Sequence, residues 1–196
     1  MGIQYTTDIS KAKNIWVGDD SDWTTTFTNS ASEPVVVFCW EKKPGDFTAM
    51  TLNKHKPAFN VGIKPNEKVT VAWAAGAFAC APAYGDTKMA QFGAVDNTWF
   101  EMNVHKGKAT SVFNVSRNVN LNGNTITAVG SKCTSSMEKC FFKCMNGQVS
   151  CEFGYTLVGM NTDPGCHGDY DPVMKGDGGG CQMTDDSDHV DVNFSS

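Results

Sequence analysis

The sequence predicts an all-β fold, a disulfide-stabilised β-sandwich with one short helix and an irregular acidic C-terminal region. Three observations predict it. Short runs of β-branched and aromatic residues recur between residues 23 and 115, turn residues separate them, and eight cysteines occur in 196 residues. We expect a single domain over residues 1–196, with the β-sandwich core in residues 1–130 and a disulfide-rich helix and loop region in residues 131–196.

The strands follow from hydrophobic patterning. In DWTTTFTN, Trp23, Thr25 and Phe27 lie on one face, as alternation in a half-buried strand requires. PVVVFCW is a continuous apolar run, typical of a strand buried on both faces, and KVTVAW and TWFEMNV alternate again. The segments KPGD, KPNE, HKGK and NGN are predicted turns, so we expect at least six strands before residue 130.

One helix is predicted in SSMEKCFFKCMNG. Ser135 and Glu138 have the spacing of a capping box, and Gly147 is a helix-ending residue. The two cysteines of this segment would then lie on one face, one turn apart. Beyond it the chain becomes rich in glycine and aspartate, so we expect an irregular region that depends on disulfides for its stability.

The cysteines predict disulfides, an oxidising compartment, and therefore a secreted, extracellular protein. They are Cys39, Cys80, Cys133, Cys140, Cys144, Cys151, Cys166 and Cys181. Only Cys39 with Cys80, both in the predicted sheet, is proposed as a specific pair. A metal site among the cysteines of residues 133–151 is the alternative, but CxxC pairs and a matching histidine pair are lacking, so no metal is predicted. The chain opens MGIQYTTDIS, which we interpret as a start that replaces a removed leader.

Charge and hydropathy limit the partners. The net charge is -5, and residues 161–196 carry eight aspartates against one lysine. The sequence has no stripe of basic residues, so binding to nucleic acid is not expected. The longest apolar run, VTVAWAAGAFACAPA, is too short and too interrupted to span a membrane. The aspartates of DPGCHGDYDP and TDDSDHVDV lack the order of a calcium loop, and a solvated acidic flank is favoured. No cofactor is predicted.

Candidate catalytic and modification motifs are sparse. The chain has no GxSxG elbow, and its four histidines occur in polar stretches typical of solvated surface, so no catalytic residue is predicted. Two N-glycosylation acceptors occur, Asn114 and Asn193, each followed two residues later by serine.

The stretch FEMNVHKGKATSVFNVSRNVNLNG resembles a segment of thaumatin-like proteins. Glu101 matches the strand glutamate of that family, FNVS stands where the family has Tyr-Asp-Val-Ser, and Asn120-Leu121 matches its Asn-Leu. NVGIKPNEKVTVAWAAGAFAC resembles the family's stretch that passes through tryptophan and glycine to a cysteine, here Cys80. The resemblance implies a β-sandwich whose acidic cleft binds or cleaves β-glucan.

The departures from that family concern its acids. Ser111 and Asn114 stand at two positions where the family has acidic residues, and a third acid is lost with two residues missing after Arg117. Only Glu101 survives, whereas a glycosidase needs two carboxylates. The cysteine count is half the usual plant complement. In size and cysteine pattern the chain also resembles cysteine-rich effectors secreted by fungi, several of which are similar to inhibitors of host hydrolases.

The sequence therefore predicts a non-catalytic, effector-type binding protein that inhibits a host hydrolase such as a protease, through loops such as WEKKPGDF and ACAPAYGD. The alternative is a thaumatin-like protein that binds cell-wall β-glucan or hydrolyses it weakly. Arg117, the only arginine, either pairs with Glu101 or is exposed at the end of its strand. The candidate binding residues are Trp40, Phe47, Tyr84, Trp99, Glu101, Asn114 and Arg117.

Overall fold

The fold is all-β, as predicted. A computed structural model describes residues 14–43, 46, 50–107, 110–151, 154–171 and 176–196. These residues form two β-sheets and one short 3-10 turn, Met145–Gly147. None of the helical structure in the described ranges has the length and apolar character needed to cross a membrane.

Fifteen strands occur in the described residues. They are β1 (Ile15–Val17), β2 (Trp23–Asn29), β3 (Val35–Glu41), β4 (Phe59–Ile63), β5 (Lys68–Trp73), β6 (Gly76–Ala83), β7 (Trp99–Val104), β8 (Val112–Ser116), β9 (Thr125–Val129), β10 (Thr134–Ser135), β11 (Phe141–Cys144), β12 (Tyr155–Val158), β13 (Cys166–Asp171), β14 (Gly176–Gln182) and β15 (Asp188–Ser195).

The two sheets differ in size. The six-stranded sheet has the order β1-β5-β2-β15-β9-β10, with β15 parallel to β2 and antiparallel to β9. The nine-stranded sheet has the order β12-β11-β8-β7-β6-β3-β4, and the hairpin β13–β14 joins it through β14. One edge of β8 is shared, because β14 pairs with its first residues and β11 with its last. This arrangement brings the hairpin alongside the middle of the sheet.

The main core lies between the two sheets. Alternation directs every second side chain of each strand into this layer. Phe27 of β2 contacts Phe100 of β7 with ring centroids 6.0 Å apart, and it stacks on Phe194 of β15 at 5.5 Å. A second, smaller apolar cluster lies on the opposite face of the nine-stranded sheet, around Trp40 and Trp99. Two loops, over residues 50–58 and 84–98, contribute side chains to that cluster.

The disulfide prediction is confirmed. Cys39 and Cys80 form the proposed pair, directly opposite each other on β3 and β6. The remaining bridges are Cys133–Cys181, Cys140–Cys166 and Cys144–Cys151, and no cysteine is free. The sulfurs of residues 133, 140 and 181 lie within 4.8 Å of one another, but each one belongs to a disulfide. They are packed bridges rather than metal ligands.

The predicted helix is wrong. Ser135 ends β10, and residues 141–144 form β11. The Ser135 hydroxyl donates to the Cys140 carbonyl at 2.6 Å and accepts from the Val115 amide at 2.7 Å, so it connects strands instead of capping a helix. Cys140 has a φ of 43°, which a right-handed helix does not contain. Pairing of β11 with β8 and β12 therefore overrides the local capping signal.

The prediction of an irregular C-terminal region is also wrong. Residues 166–195 contain three strands, and β15 lies in the middle of the six-stranded sheet. In β15, Val190, Val192 and Phe194 face the core while the acidic and polar residues between them face outward. The aspartates therefore occupy the solvent side of an ordinary alternating strand.

Candidate functional site

The outer face of the nine-stranded sheet carries a polar site centred on Glu101 of β7. Glu101 is directly opposite Asn114 of β8. Phe113 and Val115 face the core, as predicted, and Ser116 lies on the same face as Asn114. The predicted neighbourhood of Glu101 and Asn114 is confirmed, because the register of two adjacent strands determines it.

The ion-pair partner of Glu101 differs from the one that the sequence suggested, Arg117. Lys42, which follows β3, places its ammonium nitrogen 2.8 Å from the Glu101 Oε1 atom. The Glu101 side chain is 16% exposed. The sequence did not indicate this pair, because Lys42 and Glu101 are brought together only by the order β3-β6-β7.

Arg117 neither pairs with Glu101 nor extends freely into solvent, so both expectations for it are wrong. Its Nε atom donates to the Leu121 carbonyl at 3.0 Å, where Nη2 also donates, and Nη1 donates to the Met137 carbonyl at 3.0 Å. The guanidinium carbon lies 5.5 Å from the centre of the Phe141 ring. Burial lowers the pKa of Arg117, while the nearby Glu138 carboxylate acts in the opposite direction.

Two further carboxylates, from the aspartate-rich part of the chain, approach this face from the hairpin β13–β14. They are Asp171 and Asp177, and both lie near the half-buried Tyr155 of β12. Burial raises the pKa of the Tyr155 phenol, and the charges of Asp171, Glu101 and Asp177 raise it further. The Thr156 hydroxyl donates to Asp177 at 2.8 Å, which ties the hairpin to β12.

Asn114 lies beneath the hairpin. Its side chain is buried, and Nδ2 donates to the Gly179 carbonyl at 3.4 Å. Its Oδ1 atom has no hydrogen-bond partner in the described part of the chain. A glycan on this buried residue would not fit the folded protein. By contrast Asn193 is exposed on β15, where its Oδ1 accepts from the Ser30 hydroxyl at 2.6 Å.

The candidate aromatic residues are mostly internal. Trp40, Tyr84 and Trp99 are buried, and Phe47 lies outside the described residues. The Trp40 and Trp99 rings are 5.4 Å apart, and the Trp99 indole donates to the Val95 carbonyl at 3.0 Å. These rings cannot contact a partner directly. They support the loop above them.

That loop, residues 84–98, exposes two large apolar side chains, Met89 and Phe92, at 52% and 50% of their surface. Its backbone is closed by hydrogen bonds from Ala90 to Ala94 and from Asp96 to Lys88, at 2.8 and 2.9 Å. No sequence motif marked these residues. They lie three and six residues beyond the segment ACAPAYGD. That segment was predicted as a binding loop, but its first five residues belong to strand β6.

Comparison with known proteins identifies one family, and the distant structural similarities include two named proteins. The family model described as Allergen Asp f 4-like domain matches residues 15–174, and no curated protein matches in sequence. The thaumatin-like xylanase inhibitor TLXI is similar over 87% of this chain and 97% of its own, with 13% identity and a TM-score of 0.40. The protein elicitor MoHrip2 from Magnaporthe oryzae is similar over 89% of this chain and 99% of its own, with 10% identity and a TM-score of 0.40.

Proposed function

We propose that this chain, which belongs to the Allergen Asp f 4-like family, is a secreted, non-catalytic binding protein that inhibits a host hydrolase such as a protease. The observation that carries the proposal is the loop of residues 84–98, with Met89 and Phe92 exposed at its tip. Aromatic residues and methionine are enriched in protein interfaces, and exposed apolar anchors commonly supply most of the binding energy.

The loop is built to keep these anchors in position. On its inner side Ala94 and Val95 are buried against Trp99. The Leu52 amide of the neighbouring loop donates to the Gly93 carbonyl at 2.9 Å, so the two loops are linked. A loop that is already ordered loses little conformational entropy when it binds, which favours affinity.

Two further features support a secreted protein that is not an enzyme. Four disulfides are typical of proteins from oxidising compartments. Glu101, the carboxylate that the thaumatin-like resemblance would make a general acid, is engaged by Lys42. This ion pair engages the carboxylate on which a glycosidase mechanism would depend.

The test is inhibition of purified secreted proteases from plant apoplastic fluid by wild type and by Phe92→Ala and Met89→Ala. Truncation of an interface anchor costs about 2 kcal/mol or more, so the inhibition constant should rise by roughly 30-fold for Phe92→Ala. Tyr170→Ala is the matched control, because Tyr170 is an exposed aromatic residue outside the loop, on the hairpin β13–β14. Equal losses in Phe92→Ala and Tyr170→Ala, or no inhibition by wild type, would contradict the proposal.

A second candidate function, β-glucan binding or weak hydrolysis, is favoured by a different observation. Glu101, Asp171 and Asp177 surround Tyr155 on one face of the molecule. Carboxylates accept hydrogen bonds from sugar hydroxyls, and two carboxylates are the minimum for glycoside hydrolysis.

The two functions are separated by sedimentation with insoluble β-1,3-glucan and by a hydrolysis assay near pH 5. We expect no turnover by wild type, and no effect of Phe92→Ala on any glucan binding. Turnover that disappears in Glu101→Gln would reverse the order of the two candidates and would make Asp171 or Asp177 the second carboxylate.

A further inference from the structure

A groove of about 530 Å³ lies at the edge of the nine-stranded sheet where β8, β11 and β12 meet. It is remote in sequence from the loop of residues 84–98. Thr156, which also lines it, donates to Asp177 of the acidic face, so the groove adjoins the second candidate site. One wall is the loop closed by the Cys144–Cys151 disulfide. The lining includes Arg117, Leu121, Phe141, Lys143 and Met145.

The groove has two cationic side chains in a protein of net charge -5. The half-buried Arg117 donates only to carbonyl oxygens, and no carboxylate of the described residues lies within ion-pair distance of it. Glu138 is near enough to influence Arg117, but its exposed side chain makes no ion pair with it. Lys143 is exposed on the same groove. A half-buried guanidinium that makes no ion pair favours an anionic ligand.

The guanidinium of Arg117 retains donors for such a ligand. It has five N–H groups, and the bonds to Leu121 and Met137 use three of them, which leaves two. The bonded carbonyls and the Phe141 ring determine the plane of the group. A planar guanidinium with two remaining N–H groups suits the two oxygens of a carboxylate.

The rest of the groove is suited to an apolar group. Met145 is 47% exposed, and Leu121 and Phe141 also line the groove. Gly147 adds no side chain, and the space above it is open. We propose that this groove binds an aliphatic carboxylate, with the carboxylate on Arg117 and Lys143 and the alkyl chain against Met145.

The probe is hexanoate, added to the ¹⁵N-labelled full chain and followed by nuclear magnetic resonance. The amide signals of Leu121, Met145 and Gly147 should shift with saturation, with a dissociation constant on the order of 1 mM for a ligand of this size. Hexanol, which lacks the charge, and acetate, which lacks the chain, should each bind at least about tenfold more weakly. Added salt should weaken hexanoate binding and leave hexanol binding unchanged.

Two variants identify the cationic residues. Lys143→Gln should weaken hexanoate binding by about threefold or more, whereas the exposed Lys68→Gln on the other sheet should have no effect. Arg117→Lys keeps the positive charge but removes the planar guanidinium that can donate two hydrogen bonds to one carboxylate. The variant should bind hexanoate about tenfold more weakly while its spectrum remains that of a folded protein.

Three results would overturn the proposal. They are no saturable shift, shifts confined to residues outside the groove, or equal affinity for hexanoate and hexanol. If Arg117→Lys fails to fold, Lys143→Gln and the comparison with hexanol still decide the question. Protease inhibition depends on Phe92 on a separate loop, so failure here leaves the proposed function unaffected.

Discussion

Removal of the Cys39–Cys80 disulfide should destabilise this protein more than removal of the short Cys144–Cys151 disulfide. The double substitution Cys39→Ala/Cys80→Ala opens a loop with a sequence separation of 41, and the chain-entropy estimate for that length is about 4 kcal/mol. The corresponding change at Cys144 and Cys151 opens a separation of 7, for which the estimate is about 2 kcal/mol. Cys39 and Cys80 are also fully buried in the core between the sheets, so a small loss of packing adds to the larger figure.

The assay is guanidinium unfolding of the oxidised proteins at neutral pH, followed by tryptophan fluorescence. Both double variants carry two Cys→Ala substitutions. The effect of the residue change itself therefore cancels when the two losses of stability are compared. We expect the free energy of unfolding to fall by roughly 2 kcal/mol more for the Cys39/Cys80 variant than for the Cys144/Cys151 variant. Equal losses, or a larger loss for the short loop, would refute the chain-entropy reasoning for this fold.

The remaining predictions concern pH, backbone contact and modification. Burial raises the pKa of Tyr84 to about 12, so the native state keeps its proton after the unfolded chain has lost it, and stability should fall from pH 10 to pH 12. Tyr84→Phe should remove part of this fall. At pH 7 it should lower the free energy of unfolding by less than about 1 kcal/mol, because the hydroxyl has no partner among the described residues. Chemical unfolding of wild type and variant at pH 7 and pH 11 measures both effects. Gly180→Ala should lower the free energy of unfolding by about 1–3 kcal/mol, because the new Cβ would lie 2.4 Å from a carbonyl oxygen of β8 and residue 180 has a φ of 143°. The control Gly62→Ala, where the new Cβ would enter open space, should change it by less than about 0.5 kcal/mol. When the protein is expressed in a secretory host, Asn193→Gln should abolish an endoglycosidase-sensitive mass shift and Asn114→Gln should not, because Asn193 is exposed and Asn114 is buried. The reverse result would contradict this assignment.

The strands of the first half of the chain could be predicted because their pattern is local. Alternation in β7 and β8 identifies which side chains face the core, and the pairing of these adjacent strands brings Glu101 opposite Asn114. The Cys39–Cys80 pair was accessible to the same reasoning, since both residues occupy predicted strands. An even number of cysteines was sufficient to predict complete pairing.

The segment of residues 135–147 shows where local reasoning fails. Its capping-box spacing is present in the sequence, yet Cys140 is bonded to Cys166, and Phe141 pairs with both Val115 and Val158. These partners come from three other parts of the chain. Strand pairing and a disulfide together outweigh a helix preference worth at most a few kcal/mol.

The sequence by itself determined the fold class, the complete pairing of the cysteines and the position of Glu101 beside Asn114. Only the tertiary structure decided that Lys42 pairs with Glu101, that Asp171 and Asp177 approach the same face, and that Arg117 donates to the carbonyl of Met137. The physical reason is the range of each interaction. Side-chain alternation depends on residues two positions apart, whereas these contacts join residues tens of positions apart and exist only once the order of strands in the sheets is established.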